Sequence, residues 1–172
     1  MEILLKSYKL RELQLSDAEK LFDYLQDSDI LKFLSAIPNP YTKEDALSFI
    51  SFANETRLTG KEYHFAISDL NENLLGVIGI KEINNDLGTC EIGYWLGKEH
   101  HGKGIISNVI PVVVQFCFSR LKLQKIKAIV FVSNIASIKV LEKTGFVNVG
   151  YSNKPICNSI LKEKMYEFEL NH

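Results

Sequence analysis

Two glycines bracket a lysine in "EHHGKGIISNVIP", Glu99 to Pro111, an arrangement suited to holding an anion. The preceding run "TCEIGYWLG" alternates like a strand and the apolar stretch from Ile105 repeats like a helix, so the chain turns from one to the other at Gly102, Lys103 and Gly104. A helix opening there aims unpaired backbone N–H groups, including those of Ile105 and Ile106, at one point, where the helix dipole also favours negative charge. Gly102 and Gly104 let the backbone approach phosphate oxygens with no Cβ in the way, and Lys103 adds a charge. The same residues suit a plain β–α turn that uses glycine for a positive φ, and both accounts stay open. Two other phosphate loops are excluded, because no third glycine completes a dinucleotide fingerprint and "GKGI" lacks the G-K-[ST] ending.

A second stretch, "VSNIASIKVLEKTGFVNVG", places Asn134 where a strand gives way to a helix, Ser137 one turn later on the same face, and Gly145 where the helix stops. Each has an ordinary reading as N-cap, solvated first-turn residue and left-handed stop. Cys90, Cys117 and Cys157 are odd in number and form no C-x-x-C pair, which argues against a disulfide framework and a zinc site. The adjacent His100 and His101 diverge and have no thiol or carboxylate cluster at ligand spacing, so no metal is expected.

The elements that position these residues fall into three stretches. From Tyr8 to Phe52 the pattern reads as mostly helical. Ser16 and Glu19 form a capping box before "AEKLFDYL", and Thr42 caps a second helix with Asp45 three residues on and an apolar face of Ala46, Phe49, Ile50 and Ala53. Two prolines are expected to keep the loop "SAIPNPY" extended. From Tyr63 to Gly97, "YHFAIS", "LLGVIGIKEI" and "TCEIGYWLG" read as an antiparallel meander. Beyond Gly104 come a helix over Ile105 to Leu121 with Pro111 inside it, the strand "KIKAIVFV", a helix over Asn134 to Thr144, and strands at "FVNVGY" and "KMYEFEL". Strand alternating with helix implies a parallel pair in an otherwise antiparallel sheet.

The chain has 172 residues, 46% hydrophobic and 24% charged, which suits a single domain over residues 1–172 with one sizeable core. Its 20 basic and 21 acidic residues leave a net charge of −1, so no global attraction to nucleic acid or an anionic membrane is expected. Lys122, Lys125, Lys127, Lys139, Lys143 and Lys154 make the C-terminal half basic, a solvated face from which Lys139 and Lys143 could approach phosphates. The N-terminus "MEILLKSYKL" lacks the apolar stretch of a signal peptide, and Ile105 to Phe118 is too short to span a bilayer. A reducing cytoplasm fits best.

Along nearly its whole length the chain resembles the GNAT superfamily of acetyl-coenzyme-A-dependent N-acetyltransferases. "EIGYWLGKEHHGKGIIS" is similar to that family's pyrophosphate-binding segment and "NIASIKVLEKTGF" to the Asn-containing helix that follows; "KLRELQLSDAEKLFDYL" and "EIGYWL" look most like the ribosomal-protein-alanine N-acetyltransferase branch. The resemblance implies a mixed α/β fold: a central twisted, mostly antiparallel sheet with a splayed parallel pair, flanked by about four helices. It implies acetyl-coenzyme A as co-substrate, held by backbone around Tyr94, Trp95 and Leu96, by His101, Gly102, Lys103, Gly104, Ile105 and Ile106, and by Asn134 and Lys143. Two departures stand out. Glu99 replaces the usual Gln or Arg, so one cofactor contact is lost or moved to His101 or Lys103, and Leu141 replaces a tyrosine that in many members protonates the leaving thiolate. A serine matching Ser137 is assigned to the departing sulfur in the ribosomal-protein branch.

Acetyl transfer to an amine requires a neutral nucleophile, a polarised carbonyl and stabilisation of the departing sulfur. Glu91 is the candidate proton acceptor, with a solvent-facing strand residue as the alternative. Ser137 suits hydrogen bonding to a thiolate, since a free thiol with a pKa near ~8.5 is far more acidic than a serine hydroxyl. The expected reaction is direct transfer in a ternary complex with an amine acceptor, an α-amine such as a protein or peptide N-terminus. Polyamine, amino-acid or antibiotic acceptors, or a non-catalytic acyl-coenzyme-A sensor, are the alternatives, in a monomer or homodimer. The acceptor is expected near "FLSAIPNPY" and the C-terminal strands.

Overall fold

A computed structural model describes residues 2–34, 37–155 and 161–172. Cys157, and Ser35 and Ala36 of the proposed acceptor loop, lie outside the described residues. The elements run β1 (Ile3–Leu4), β2 (Lys9–Glu12), α1 (Ala18–Tyr24), α2 (Ser28–Leu31), α3 (Lys43–Thr59), β3 (Tyr63–Ser68), β4 (Leu74–Asn84), β5 (Thr89–Leu96), α4 (Ile105–Ser119), β6 (Lys125–Phe131), α5 (Ile135–Lys143), β7 (Val147–Tyr151) and β8 (Met165–Asn171). The strands form one eight-stranded sheet in the order β1-β2-β3-β4-β5-β6-β8-β7. β5 and β6 are the parallel pair, with antiparallel ladders at β1/β2, β2/β3, β6/β8 and β7/β8. β3, β4 and β5 are successive neighbours joined by short turns, as antiparallel pairing requires.

The chain divides into two compact units. The first is built mainly from residues 2–79 and Tyr94–His101, the second from Ile80–Gly93, Gly102–Pro155 and Lys162–His172. In the first, α1 and α3 turn Leu21, Leu25, Ile50 and Ala53 into a core that also holds Val77 of β4. α3 starts as its sequence predicts: Thr42 Oγ1 accepts the Asp45 N–H at 3.1 Å, and Asp45 accepts the Thr42 N–H at 2.8 Å. It stops at Gly60, with φ of +71°. In the second unit α4 buries Val109, Ile110, Val113 and Cys117 completely. Pro111 lies inside that helix, where it has no N–H to offer the Ser107 carbonyl. Lys125 and Lys127 do not simply face solvent; they pair with Glu169 at 2.8 Å and Glu167 at 2.7 Å across the β6/β8 ladder. No helix among the described residues is long and apolar enough to cross a membrane.

Several expectations need correction. The stretch from Tyr8 is not mostly helical at its start, because Lys9–Glu12 is a strand paired to β3. Lys9 and Arg11 on that strand are both buried. The Arg11 guanidinium donates to both Asp17 carboxylate oxygens, at 2.7 and 2.8 Å, and to the Glu72 carbonyl at 2.9 Å, while Lys9 pairs with the Glu72 carboxylate. The capping box before α1 is not Ser16 with Glu19. It is Gln14 with Asp17, whose carboxylate accepts the Gln14 N–H at 2.8 Å and opens a single 3-10 turn. α2 is a further one-turn helix, capped by Asp27 accepting the Asp29 N–H at 2.8 Å. The expected extended proline loop contains a cis Asn39–Pro40 bond.

Asp17 thus serves the Arg11 pair and the start of α1 together. Asp17→Ala removes the bidentate partner of a buried guanidinium, leaving it Glu72, and is expected to cost about 3 kcal/mol, read as a lowered urea midpoint.

Candidate functional site

The site residues descend from the end of β5. Among the described residues the parallel ladder with β6 runs from Thr89↔Lys125 to Ile92↔Ala128, while β5 itself continues to Leu96. Past that point β5 is drawn close to β4, with the Gly97 N–H donating to the Leu75 carbonyl at 2.9 Å. A Cβ on Gly76 would meet the Trp95 carbonyl oxygen at 2.2 Å and Leu96 Cα at 2.8 Å, so only glycine permits this approach. Gly97 is constrained likewise, since a Cβ there would lie 2.3 Å from the Tyr24 ring. The Trp95 side chain packs on the α1/α3 core and meets Tyr24 edge-on, with centroids 6.1 Å apart. The indole is a core group, and only its backbone is available for a ligand.

The chain then makes a 3-10 turn over Lys98–His100 and reaches the glycines. His100 and His101 diverge as expected: His100 Nε2 lies 2.9 Å from the Tyr24 hydroxyl, and His101 Nε2 donates to the Leu96 carbonyl at 3.0 Å. Gly102 and Gly104 have φ of +71° and +72°, conformations that L side chains rarely adopt. The turn account therefore holds for both. Nothing lies within 4 Å of a Cβ built on either, so the backbone is also open to a ligand. Gly104 is the N-cap of α4 and brings no side chain to cap it, leaving the first-turn amides at Ile105 and Ile106 pointing past the helix end. Lys103 is exposed beside them.

Glu91 is not a solvent-facing strand residue. It is 6% exposed, with Lys81 Nζ at 2.8 Å and Lys154 Nζ at 2.7 Å from its two oxygens. Lys154 also reaches Glu82. Burial alone would raise the Glu91 carboxyl, but the two ammonium groups outweigh it and hold the pKa below the ordinary 4.5.

On α5, Asn134 is the N-cap, its side-chain oxygen accepting the Ser137 N–H at 3.2 Å. Ser137 is half-buried on the first turn, and Leu141 is buried in the core. Lys143 sits in the last turn, about 13 Å along the axis from Asn134, so the helix does not bring these two to one phosphate. Gly145, with φ of +93°, ends the segment. Cys90 and Cys117 are free, buried thiols with sulfurs 3.9 Å apart, and the hydrogen bond to Cys90 together with burial pushes the Cys117 thiol up. Neither is poised as a nucleophile. Sequence reasoning passed over Gly76, Tyr24 and Lys81, and it read Lys154 as part of a solvated face where the structure pairs it with Glu91. Gly76 had a legible signal, since a glycine inside a strand marks close backbone approach.

Two outcomes are expected. Gly76→Ala forces β4 and β5 apart and lowers stability by about 1–3 kcal/mol, measured by thermal melting. Because the folded Glu91 pKa lies below its unfolded value, its pairing contributes stability above pH 4.5 that is lost as pH falls through the folded value. Glu91→Gln therefore flattens the acid limb of a stability–pH curve.

The profile of the acetyltransferase (GNAT) domain matches residues 8–147. The chain is 34% identical over 156 residues to the "probable N-acetyltransferase YjcK" of Bacillus subtilis (strain 168), spanning 88% of this chain and 86% of that protein. It is 28% identical over 142 residues to the spermidine N(1)-acetyltransferase of Vibrio cholerae serotype O1, spanning 83% and 80%. Its fold superposes on the ribosomal-protein-S5-alanine acetyltransferase of Vibrio fischeri with a TM-score of 0.86 at 21% identity, over 99% of this chain and 96% of that one. A glycine turn opening an uncapped helix, on a mixed sheet with one parallel pair, agrees with that match: the chain belongs to the GNAT family of N-acetyltransferases.

Proposed function

We propose that the chain transfers the acetyl group of acetyl-coenzyme A directly to an amine, the acceptor being an α-amine such as a protein or peptide N-terminus. The observation that carries the cofactor half of this reading is the exposed turn at Gly102 and Gly104 leading into the uncapped end of α4. There the amides from Gly102 to Ile106, with Lys103, would hold the pyrophosphate. Backbone at Tyr94, Trp95 and Leu96 would bind the pantetheine arm like an added strand. His101 has one ring nitrogen committed to Leu96, which leaves the other for the cofactor. Asn134 shapes the first turn of α5, and Lys143 contributes at most long-range charge.

In the proposed chemistry the amine attacks the thioester carbonyl, its new C–N bond forming as the C–S bond breaks and the sulfur leaves as thiolate. Ser137 donates a hydrogen bond to that sulfur. Leu141, buried where a tyrosine would have to reach the site, supplies no acid. The amine proton passes to water or Glu91. A carboxylate held this acidic relays a proton to solvent rather than keeping it.

The spermidine-acetylating relative makes a polyamine the second reading. Against it, Glu82 and Glu91 are already paired with lysines and present no open acidic cluster to a polycation. An α-amine titrates near ~8 and a polyamine-type amine near ~10.4, so the former offers far more neutral nucleophile at neutral pH.

The test combines calorimetric titration of acetyl-coenzyme A with a thiol-release assay over N-terminal peptides and spermidine. Binding that weakens severely in Gly104→Val is expected. Ser137→Ala should lower kcat roughly 10- to 100-fold at unchanged coenzyme affinity, the loss of one charge-assisted hydrogen bond in the transition state. Glu91→Gln should move the pH–rate rise to higher pH. Coenzyme binding with no turnover on any amine would support the sensor instead, and faster turnover of spermidine than of peptides would overturn the α-amine assignment.

A further inference from the structure

Resting on the coenzyme assignment above, we infer that Tyr24 of α1 is a positioning residue for coenzyme binding, whose hydroxyl, acting through His100, fixes the turn Lys98–His101 from which the chain runs on into Gly102.

Tyr24 is buried at the end of α1, and its ring fills the space that any side chain on Gly97 would need. Its hydroxyl donates to the Leu74 carbonyl at 3.1 Å. The same oxygen lies 2.9 Å from His100 Nε2, and this hydrogen bond holds the imidazole edge-on, at 86° to the tyrosine plane. One helical turn earlier, Lys20 Nζ lies 4.4 Å over the Tyr24 ring and 3.7 Å from a Glu99 carboxylate oxygen. Two residues one turn apart on α1 thus grip Gly97, Glu99 and His100 in succession. His101 closes the arrangement by bonding back to the Leu96 carbonyl.

Packing accounts for the ring but not for the hydroxyl. A phenylalanine would fill the same volume against Gly97 without a buried polar atom. The oxygen serves to fix β4 at Leu74 and the turn at His100 together, so that the turn is ordered before a ligand arrives and its ordering cost is not charged to binding. Lys20 also offsets the charge of Glu99.

The test compares parent, Tyr24→Phe, His100→Ala and the double variant by calorimetric Kd for coenzyme A, KM and kcat for acetyl-coenzyme A, and melting temperature. Tyr24→Phe is expected to raise Kd and KM together by roughly three- to tenfold, the loss of the hydroxyl's bonds to Leu74 and His100. Its kcat at saturation stays at the parent value. The double variant should bind no worse than the weaker single variant, because both changes remove the same bond. Tyr24→Phe binding like the parent, or melting lower with Kd unchanged, overturns the inference; so do single effects that multiply in the double variant. If the parent itself fails to bind coenzyme A, it is the assignment of the glycine loop that falls, and this inference with it.

Discussion

The close approach of two backbones at Gly76 is the constraint on which the site depends. It lets the last residues of β5 lie against β4 closely enough for the Gly97 amide to reach the Leu75 carbonyl. β5 thus lies between β4 on one edge and β6 on the other, its parallel ladder to β6 running as far as Ile92. Once the strand ends in this place, Gly97 packs against Tyr24 and the 3-10 turn over Lys98–His100 follows. Three glycines in one short path, at 97, 102 and 104, serve separate needs: contact with a ring at the first, left-handed backbone at the other two.

A second theme is charge taken out of water in pairs. Arg11 with Asp17 closes the junction of β2 and α1, and Glu91 with Lys81 and Lys154 ties β4, β5 and the segment after β7. Such clusters are costly to assemble and costlier to break singly. In the second, one carboxylate is met by donors from two distant parts of the chain, which restricts the arrangement more than apolar packing would.

This is also where the sequence stopped being legible. Local signals carried far: alternation found β3 to β8, Thr42 and Asp45 announced α3, and the Gly-Lys-Gly triplet marked a strand-to-helix turn whose positive φ angles the structure bears out. β2 escaped because Lys9 and Arg11 mimic a polar stretch, and their burial is explained only by Asp17 and Glu72. The facing of Glu91 escaped for the same reason, since Lys154 comes from far along the chain. Ser16 looked like a cap by spacing, but Asp17 took that part because the Arg11 pair already oriented its carboxylate. Tyr24 carries no signal in the sequence, since nothing within α1 reveals that its hydroxyl meets a histidine on a distant turn.

The buried thiols of Cys90 and Cys117 have a use unconnected with catalysis. Their sulfurs meet where α4 packs on β5, and neither touches solvent. An alkylating reagent attacks only an accessible thiolate, so modification at these positions waits until α4 lifts away from the sheet. The pair is a built-in clock for that excursion. Its labelling rate under native conditions reports how often the helix behind the glycine loop detaches, a motion that the closed structure cannot display and that a bound ligand at the helix end would slow.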